Sequence, residues 1–333
     1  MHPFTLERPQ TLAAALALRA QAGRNDAATE YIAGGTDMVQ LLQEDVRRPA
    51  RLVSLGRLLD CGIEVTPGGV RLGAGATMAA AAAHPEMARQ FPVVSEALLN
   101  SASPQVRNVA TIGGNLLQRT RCPYFRDTGY AECNKRQPGS GCAALGGENR
   151  WNAVLGGSDA CIATHASDLA VALVALDAVV HLRGARGERQ VPLRDFHRLP
   201  GSTPHLEADL RPGEVIAAIT LPAHPAARRS HYLKVRDRAS FEFAVVSAAV
   251  ALDLRPDGRI GQARVAVGGV GTKPWRLPQV EAALAGAALQ RDALRQAARL
   301  AAQGAQGRGH NDFKIELMQR AIVRAIETAG ERA

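Results

Sequence analysis

Residues 119–160 most constrain how this chain can fold. The stretch is rich in Gly, Arg, Asn and Pro, shows little periodicity, and holds three cysteines, with a fourth at Cys161 just beyond it. A structureless stretch of this length inside a compact domain is usually functional or disordered. Four clustered thiols favour function, because without a ligand they are an oxidation liability; the bland alternative is a flexible insertion with buried or free thiols. The spacing is Cys122-x10-Cys133-x8-Cys142-x18-Cys161. It lacks the closely spaced ligand pair of structural zinc sites and the short runs of bacterial ferredoxins, so spacing names no metal. Four deprotonated thiolates on zinc or on a cubane cluster would leave a net charge of about −2. Arg119, Arg121, Arg126, Lys135 and Arg136 lie near enough in sequence to stabilise it, and Gly139, Ser140 and Gly141 let backbone N–H groups approach sulfur. The fifth cysteine, Cys61, reads as a small core residue.

Around this segment the chain reads as an ordered protein. Its 333 residues suggest two or three domains. A helix over 8–22 capped by Thr11, a strand Thr29–Ala33, a helix from Met38 and a strand Arg51–Leu55 make a small parallel α/β unit. A hairpin over 63–72 and helices at 77 and at 92–99 follow. Beyond the cysteines come a capped helix from Ser167, strands at 178–182 and 212–222, and a proline-containing linker at 222–229. Strands at 230–235, 244–254 and 261–270 then precede helices at 277–285, 290–303 and 312–328, the signature of a separate α+β domain.

Two glycine loops carry the binding chemistry. Ala33-Gly34-Gly35-Thr36-Asp37 sits where a strand passes into a helix, and Thr111-Ile112-Gly113-Gly114-Asn115 is a second such loop. Backbone N–H groups in such loops face anions, and two of them can hold a diphosphate from both sides. Each alone reads more readily as a tight turn than as a site, and it is the pair that brings a nucleotide site level with that reading; neither is a G-x-G-x-x-G or Walker pattern. Asp168 reads first as part of a helix cap with Ser167, and second as an acceptor for a ligand hydroxyl. Lys234, one of only four lysines, reads as an exposed strand residue. No histidine pair has metal-ligand spacing, and no nucleophile elbow is visible.

Net charge is +9, with 40 Lys+Arg against 31 Asp+Glu. The arginines are dispersed with few aromatics among them, so nucleic acid is not an expected partner. No apolar run reaches the length of a membrane span. The opening Met1–Glu7 has no signal-peptide pattern, so any export is expected to depend on a partner's signal.

The motifs Tyr31-Ile-Ala-Gly-Gly-Thr-Asp-Met38, Gln105-Val-Arg-Asn-Val-Ala-Thr-Ile-Gly-Gly-Asn-Leu116, Ser167-Asp168, Pro212-Gly-Glu-Val-Ile216 and Lys234-Val-Arg236 follow one another over nearly the whole chain. In that order they resemble the FAD-binding medium subunits of the xanthine dehydrogenase family of molybdenum hydroxylases. The wording Arg121-Cys-Pro-Tyr-Phe-Arg-Asp127, Cys133-Asn-Lys-Arg136 and Pro138-Gly-Ser-Gly-Cys142 resembles the medium subunit of periplasmic aldehyde oxidoreductase, more than the similar insertion of 4-hydroxybenzoyl-CoA reductase.

The resemblance implies a two-lobed FAD domain of the vanillyl-alcohol-oxidase (PCMH) type over 1–225, with lobes at about 1–58 and 59–225 and the insertion at 119–161. A smaller α+β C-terminal domain at 226–333 follows. It implies that Ile32, Ala33, Gly34, Gly35, Thr36, Asp37 and Met38 wrap the FAD diphosphate. It places Ser101, Ala102 and Val106 toward the flavin, and Thr111, Gly114, Asn115 and Gln118 along the second loop. Asp168 falls at the ribityl or flavin region, and Ile216 and Lys234 near the isoalloxazine. Cys122, Cys133, Cys142 and Cys161 are the implied ligands of an extra [4Fe–4S] cluster. A large molybdopterin-binding subunit and a small [2Fe–2S] subunit are the implied partners in a heterotrimer, in the periplasm by co-export, with the cytoplasm as the alternative. No residue of this chain is expected to be catalytic toward the aldehyde. Rival readings are a self-sufficient flavin-dependent oxidoreductase and a non-catalytic zinc-binding interaction protein.

Overall fold

A computed structural model describes residues 1–21 and 28–332 of the chain. Three sheets organise it. The first is parallel, with strands β1 (Thr5–Glu7), β2 (Thr29–Ile32) and β3 (Arg51–Ser54) in the order β1-β3-β2. The helix Leu12–Gln21 connects β1 toward β2 and buries Ala15 and Leu16 against Val53, Leu55 and Val215. Thr11 caps it, its Oγ1 accepting the Ala14 N–H at 3.1 Å. The helix starts at Leu12 and not at Arg8, because the residue before Pro9 is biased away from helical backbone. Ala22, the expected last residue of that helix, lies outside the described residues. Strand β1 was not foreseen; three residues are too few to show alternation.

The second sheet is antiparallel. It contains β4 (Ile63–Thr66), β5 (Gly69–Gly73), β6 (Val179–Gly184), β7 (Gly187–Pro192) and β8 (Val215–Pro222), in the order β4-β5-β8-β6-β7. Residues 74–178 leave this sheet after β5 and return at β6. They carry the second glycine loop, the cysteine segment and two buried helices, Pro92–Leu99 and Asp168–Ala175. All eight residues of Asp168–Ala175 are buried. After its first residue the run Leu-Ala-Val-Ala-Leu-Val-Ala is apolar all round, which suits an interior helix.

That interior position depends on the third sheet, which is antiparallel: β9 (Ser230–Val235), β10 (Val246–Leu254), β11 (Ile260–Gly268) and β12 (Trp275–Arg276), in the order β12-β11-β10-β9. One face presents Ala249, Ala251 and Ala266 to the helix Asp168–Ala175. The other presents Val250, Leu252, Val265 and Val267 to Leu294, Met318 and Ile322 of the C-terminal helices. Alternation of period two thus puts small residues where a helix must approach closely and large ones where a core must be filled.

One sequence expectation, the core position of Cys61, fails here. The 222–229 linker is packed: Pro225–Ala227 forms a 3₁₀ turn, and Ala226 and Ala227 are buried against the main core. Cys61 is exposed, not a core residue, because it sits in the irregular approach to β4. Among the described residues no helix is long and apolar enough to cross a membrane.

Candidate functional site

The first glycine loop leaves the end of β2 and enters the helix Met38–Gln43. Gly35 has φ +74°, the left-handed region that glycine adopts without strain. At Gly34 a Cβ would lie 2.1 Å from the Val109 carbonyl oxygen, so glycine there lets the two loops touch. The second loop is fixed from both sides: Ile112 N–H donates to the Ala76 carbonyl, and Gly113 N–H to the Ala74 carbonyl, both at 2.9 Å. Thr111 Oγ1 accepts the Gly114 N–H at 3.1 Å. The helices that follow the loops, Met38–Gln43 and Ile112–Leu116, are short. Loop N–H groups, more than a helix dipole, are what this place offers an anion.

Asp168 lies at the other end. It is 6% exposed and accepts from Tyr232 OH at 2.6 Å, Ser101 Oγ at 2.9 Å and Lys234 Nζ at 2.7 Å. Lys234 is therefore buried, not exposed; its Nζ also donates to the Asn100 carbonyl at 2.9 Å. Tyr232 stands two residues before it on the same face of β9, and that spacing was the available signal. Burial, then the Asp168 charge beside it, pushes the Tyr232 hydroxyl well above its ordinary pKa. Ser167, not Asp168, caps the helix, its Oγ accepting the Ala170 N–H at 3.0 Å. Ala102 has φ +50°, strained for a residue with a Cβ. Arg107 holds that turn by donating to the Ser101 and Ala102 carbonyls at 2.7 and 3.2 Å.

These pieces line one cleft of about 900 Å³, a volume suited to a large cofactor. Its walls include Ile32 through Met38, Ser101, Ala102, Val106, Thr111, Gly114, Asn115, Gln118, Asp168, Ile216 and Lys234. Several polar wall residues carried no sequence signal. Glu207 takes Arg119 and Lys135 as ion-pair partners, with Lys135 Nζ at 2.7 Å. Burial raises the Glu207 carboxyl, but the two cations outweigh it and hold it below the usual range. His165 and His197 meet edge to face with ring centres 4.2 Å apart. Burial keeps both neutral, lowering His197 to about 4 and His165 well below its ordinary value.

The side chain of Asp37 does not face the cleft alone. Its oxygens accept Arg119 N–H at 2.8 Å, Arg121 at 3.0 Å and Arg126 at 2.7 Å. It thereby ties the first glycine loop to the start of the cysteine segment. That segment is ordered. Cys133 and Cys142 face each other as a β-bridge, closed by Asn134 N–H to the Gly141 carbonyl at 2.7 Å. Cys122, Cys133, Cys142 and Cys161 line one small cavity together with Phe125, Lys135 and Asn152. Among the described residues no three His, Cys, Asp or Glu side chains are gathered as ligands of a single metal ion; the thiols surround a space. Burial raises the Cys122 thiol and raises Cys161 to about 12. Lys135, Cys161 and Ala163 border both this cavity and the large cleft.

Residues 2–224 match the family described as the FAD binding domain in molybdopterin dehydrogenase, and residues 231–329 the CO dehydrogenase flavoprotein C-terminal domain. The aldehyde oxidoreductase FAD-binding subunit PaoB of Escherichia coli K12 is 47% identical over 336 residues, covering 100% of both chains. The carbon monoxide dehydrogenase medium chain of Afipia carboxidovorans is 26% identical, covering 99% of this chain and 98% of its own. Among solved structures, reconstituted CO dehydrogenase from Oligotropha carboxidovorans superposes with a TM-score of 0.76 at 25% identity, over 100% of both chains. The two-part fold, the paired glycine loops on one cleft and these matches agree, and the chain belongs to the FAD-binding medium subunits of the xanthine dehydrogenase family of molybdenum-containing oxidoreductases.

Proposed function

We propose that this chain is the FAD-binding electron-transfer subunit of a molybdenum-containing aldehyde oxidoreductase, and that it carries an additional [4Fe–4S] cluster on Cys122, Cys133, Cys142 and Cys161. Bound FAD would supply the redox chemistry, taking electrons from the molybdenum centre and [2Fe–2S] clusters of a large and a small partner subunit and passing them to an external acceptor. The observation that carries this reading is the wall formed by Lys135, Cys161 and Ala163, shared by the FAD cleft and the cysteine cavity.

The chain's residues divide the work. Backbone N–H groups of residues 33–37 would hold the diphosphate, while the second loop, whose Ile112, Gly113, Gly114 and Asn115 N–H groups are bonded within the chain, would line the cleft beside it. Asp168, anchored by Tyr232 and Lys234, presents fixed polar atoms beside Ser101 and Ala102. Four cysteines on one small cavity supply the donor set of a shared metal centre. The choice of a cubane over zinc rests on the resemblance of the segment's wording, Arg121–Asp127, Cys133–Arg136 and Pro138–Cys142. Lys135, paired with Glu207 and only 9% exposed at its side chain, adds a cation to that wall. The proposed compartment is the periplasm, reached with a signal-bearing partner; fractionation that finds the assembled complex in the cytoplasm contradicts it.

The test is flavin, iron and zinc quantitation with an absorption spectrum, on anaerobically purified complex co-expressed with its genomic neighbours. One FAD and about four iron per chain beyond the partner's [2Fe–2S] iron are expected. FAD with zinc or no metal removes the cluster from the proposal, and a colourless zinc protein without flavin overturns it.

A further inference from the structure

Lys314 lies in the first turn of the C-terminal helix Phe313–Gly330 and is fully buried at 0% exposure. A buried ammonium normally needs a counter-charge. Among the described residues no carboxylate lies within ion-pair distance of it. Its Nζ donates instead to two backbone carbonyls, Asn152 at 3.1 Å and Gly269 at 2.9 Å. Asn311, three residues earlier, donates to the Ala153 carbonyl at 3.1 Å. Asn152 is thus held from the C-terminal domain, and its own amide nitrogen reaches Cys122 Sγ at 3.6 Å and the Ile162 carbonyl at 3.4 Å. The path from ammonium to sulfur crosses a single residue.

We infer that Lys314 is a positioning residue of the four-cysteine site: it fixes the Asn152 backbone so that the Asn152 amide reaches Cys122 Sγ, and its buried ammonium adds positive charge behind an anionic centre there. This rests on the cluster reading above. Four thiolates on a cubane carry net negative charge. A fixed cation one residue away stabilises that charge, and more so after an electron is added. Hydrogen bonds to the sulfurs and nearby charge both set cluster potential. The cysteine segment is also fastened to the loop before that helix: Asn149 donates to the Arg308 carbonyl at 2.8 Å. Burial and, after it, the Arg150 charge lower Lys314 to about 7 against the opposing pull of Asp237, which marks how poorly the site suits a cation when no anion accompanies it.

The test uses Lys314→Met in the purified complex, reading iron per FAD, the cluster midpoint potential by EPR-monitored titration, and FAD content. Methionine fills the same volume, so a lysine that was only a buried liability would leave the potential unchanged or gain stability on replacement. The expected result is a lower cluster potential and faster iron loss in air, with FAD content unchanged. An unchanged potential with full iron overturns the inference. If Lys314→Met does not accumulate as a folded flavoprotein, Lys314→Gln decides by the same readouts, since it removes the charge and keeps a donor for the two carbonyls. A wild-type complex with FAD but without this cluster's iron refutes the cluster reading itself, and is told apart by its iron count.

Discussion

Replacing Asp168 by asparagine would leave the Lys234 ammonium, 1% exposed at its side chain, without a counter-charge. Breaking a buried pair in this way costs about 3 kcal/mol, and denaturant unfolding should show it. The double variant Asp168→Asn with Lys234→Met should recover part of that loss, because the orphaned charge is gone. His197 gives a second handle at this scale. Its pKa in the folded chain, about 4, lies below that of an unfolded histidine, so the unfolded chain takes up the proton first. The stability linked to its neutral form is complete above pH 6.5 and is lost as pH falls toward 4, to the extent of about 3 kcal/mol. His197→Phe should flatten this part of the stability–pH curve, which urea titrations at several pH values would measure. Single residues were also where sequence reasoning was weakest. Lys234 looked exposed because its environment is set by a distant segment, helix Asp168–Ala175; Cys61 looked buried because residue type alone does not show that it sits in the irregular approach to β4.

At the scale of elements, regular pieces were legible and their junctions were not. The helix Pro92–Leu99 and the strands β9 to β11 follow from apolar periodicity and turn residues, which act locally. The 222–229 stretch read as a linker from its prolines, and nothing local showed that its alanines pack on the main core. The glycine loops were visible as motifs, but their mutual contact was not. Gly34→Ala would place a Cβ against the Val109 carbonyl and push the loops apart. A folded protein whose FAD affinity falls at least about tenfold, roughly 1.4 kcal/mol, is the expected outcome of flavin titration. Asp37 joins the same loop to Arg119, Arg121 and Arg126. Asp37→Ala should therefore lower FAD and iron occupancy together, and loss of FAD alone in the purified complex would show that the joint does not support the cysteine segment.

At the scale of the whole molecule, the chain is built to keep two cavities beside each other. One lies among the glycine loops and Asp168. The other is enclosed by a segment that belongs to none of the three sheets but is fastened to the first glycine loop through Asp37 and to the C-terminal helix through Asn152 and Lys314. The central claim is that reducing equivalents from the partner's substrate reach a flavin held here. The direct measurement is anaerobic stopped-flow addition of an aldehyde to the assembled complex, following flavin absorbance against a complex rebuilt with the Gly34→Ala chain. The expected result is bleaching of the flavin in the wild-type complex and its absence in the variant. A wild-type flavin that stays oxidised while the [2Fe–2S] clusters are reduced would contradict it.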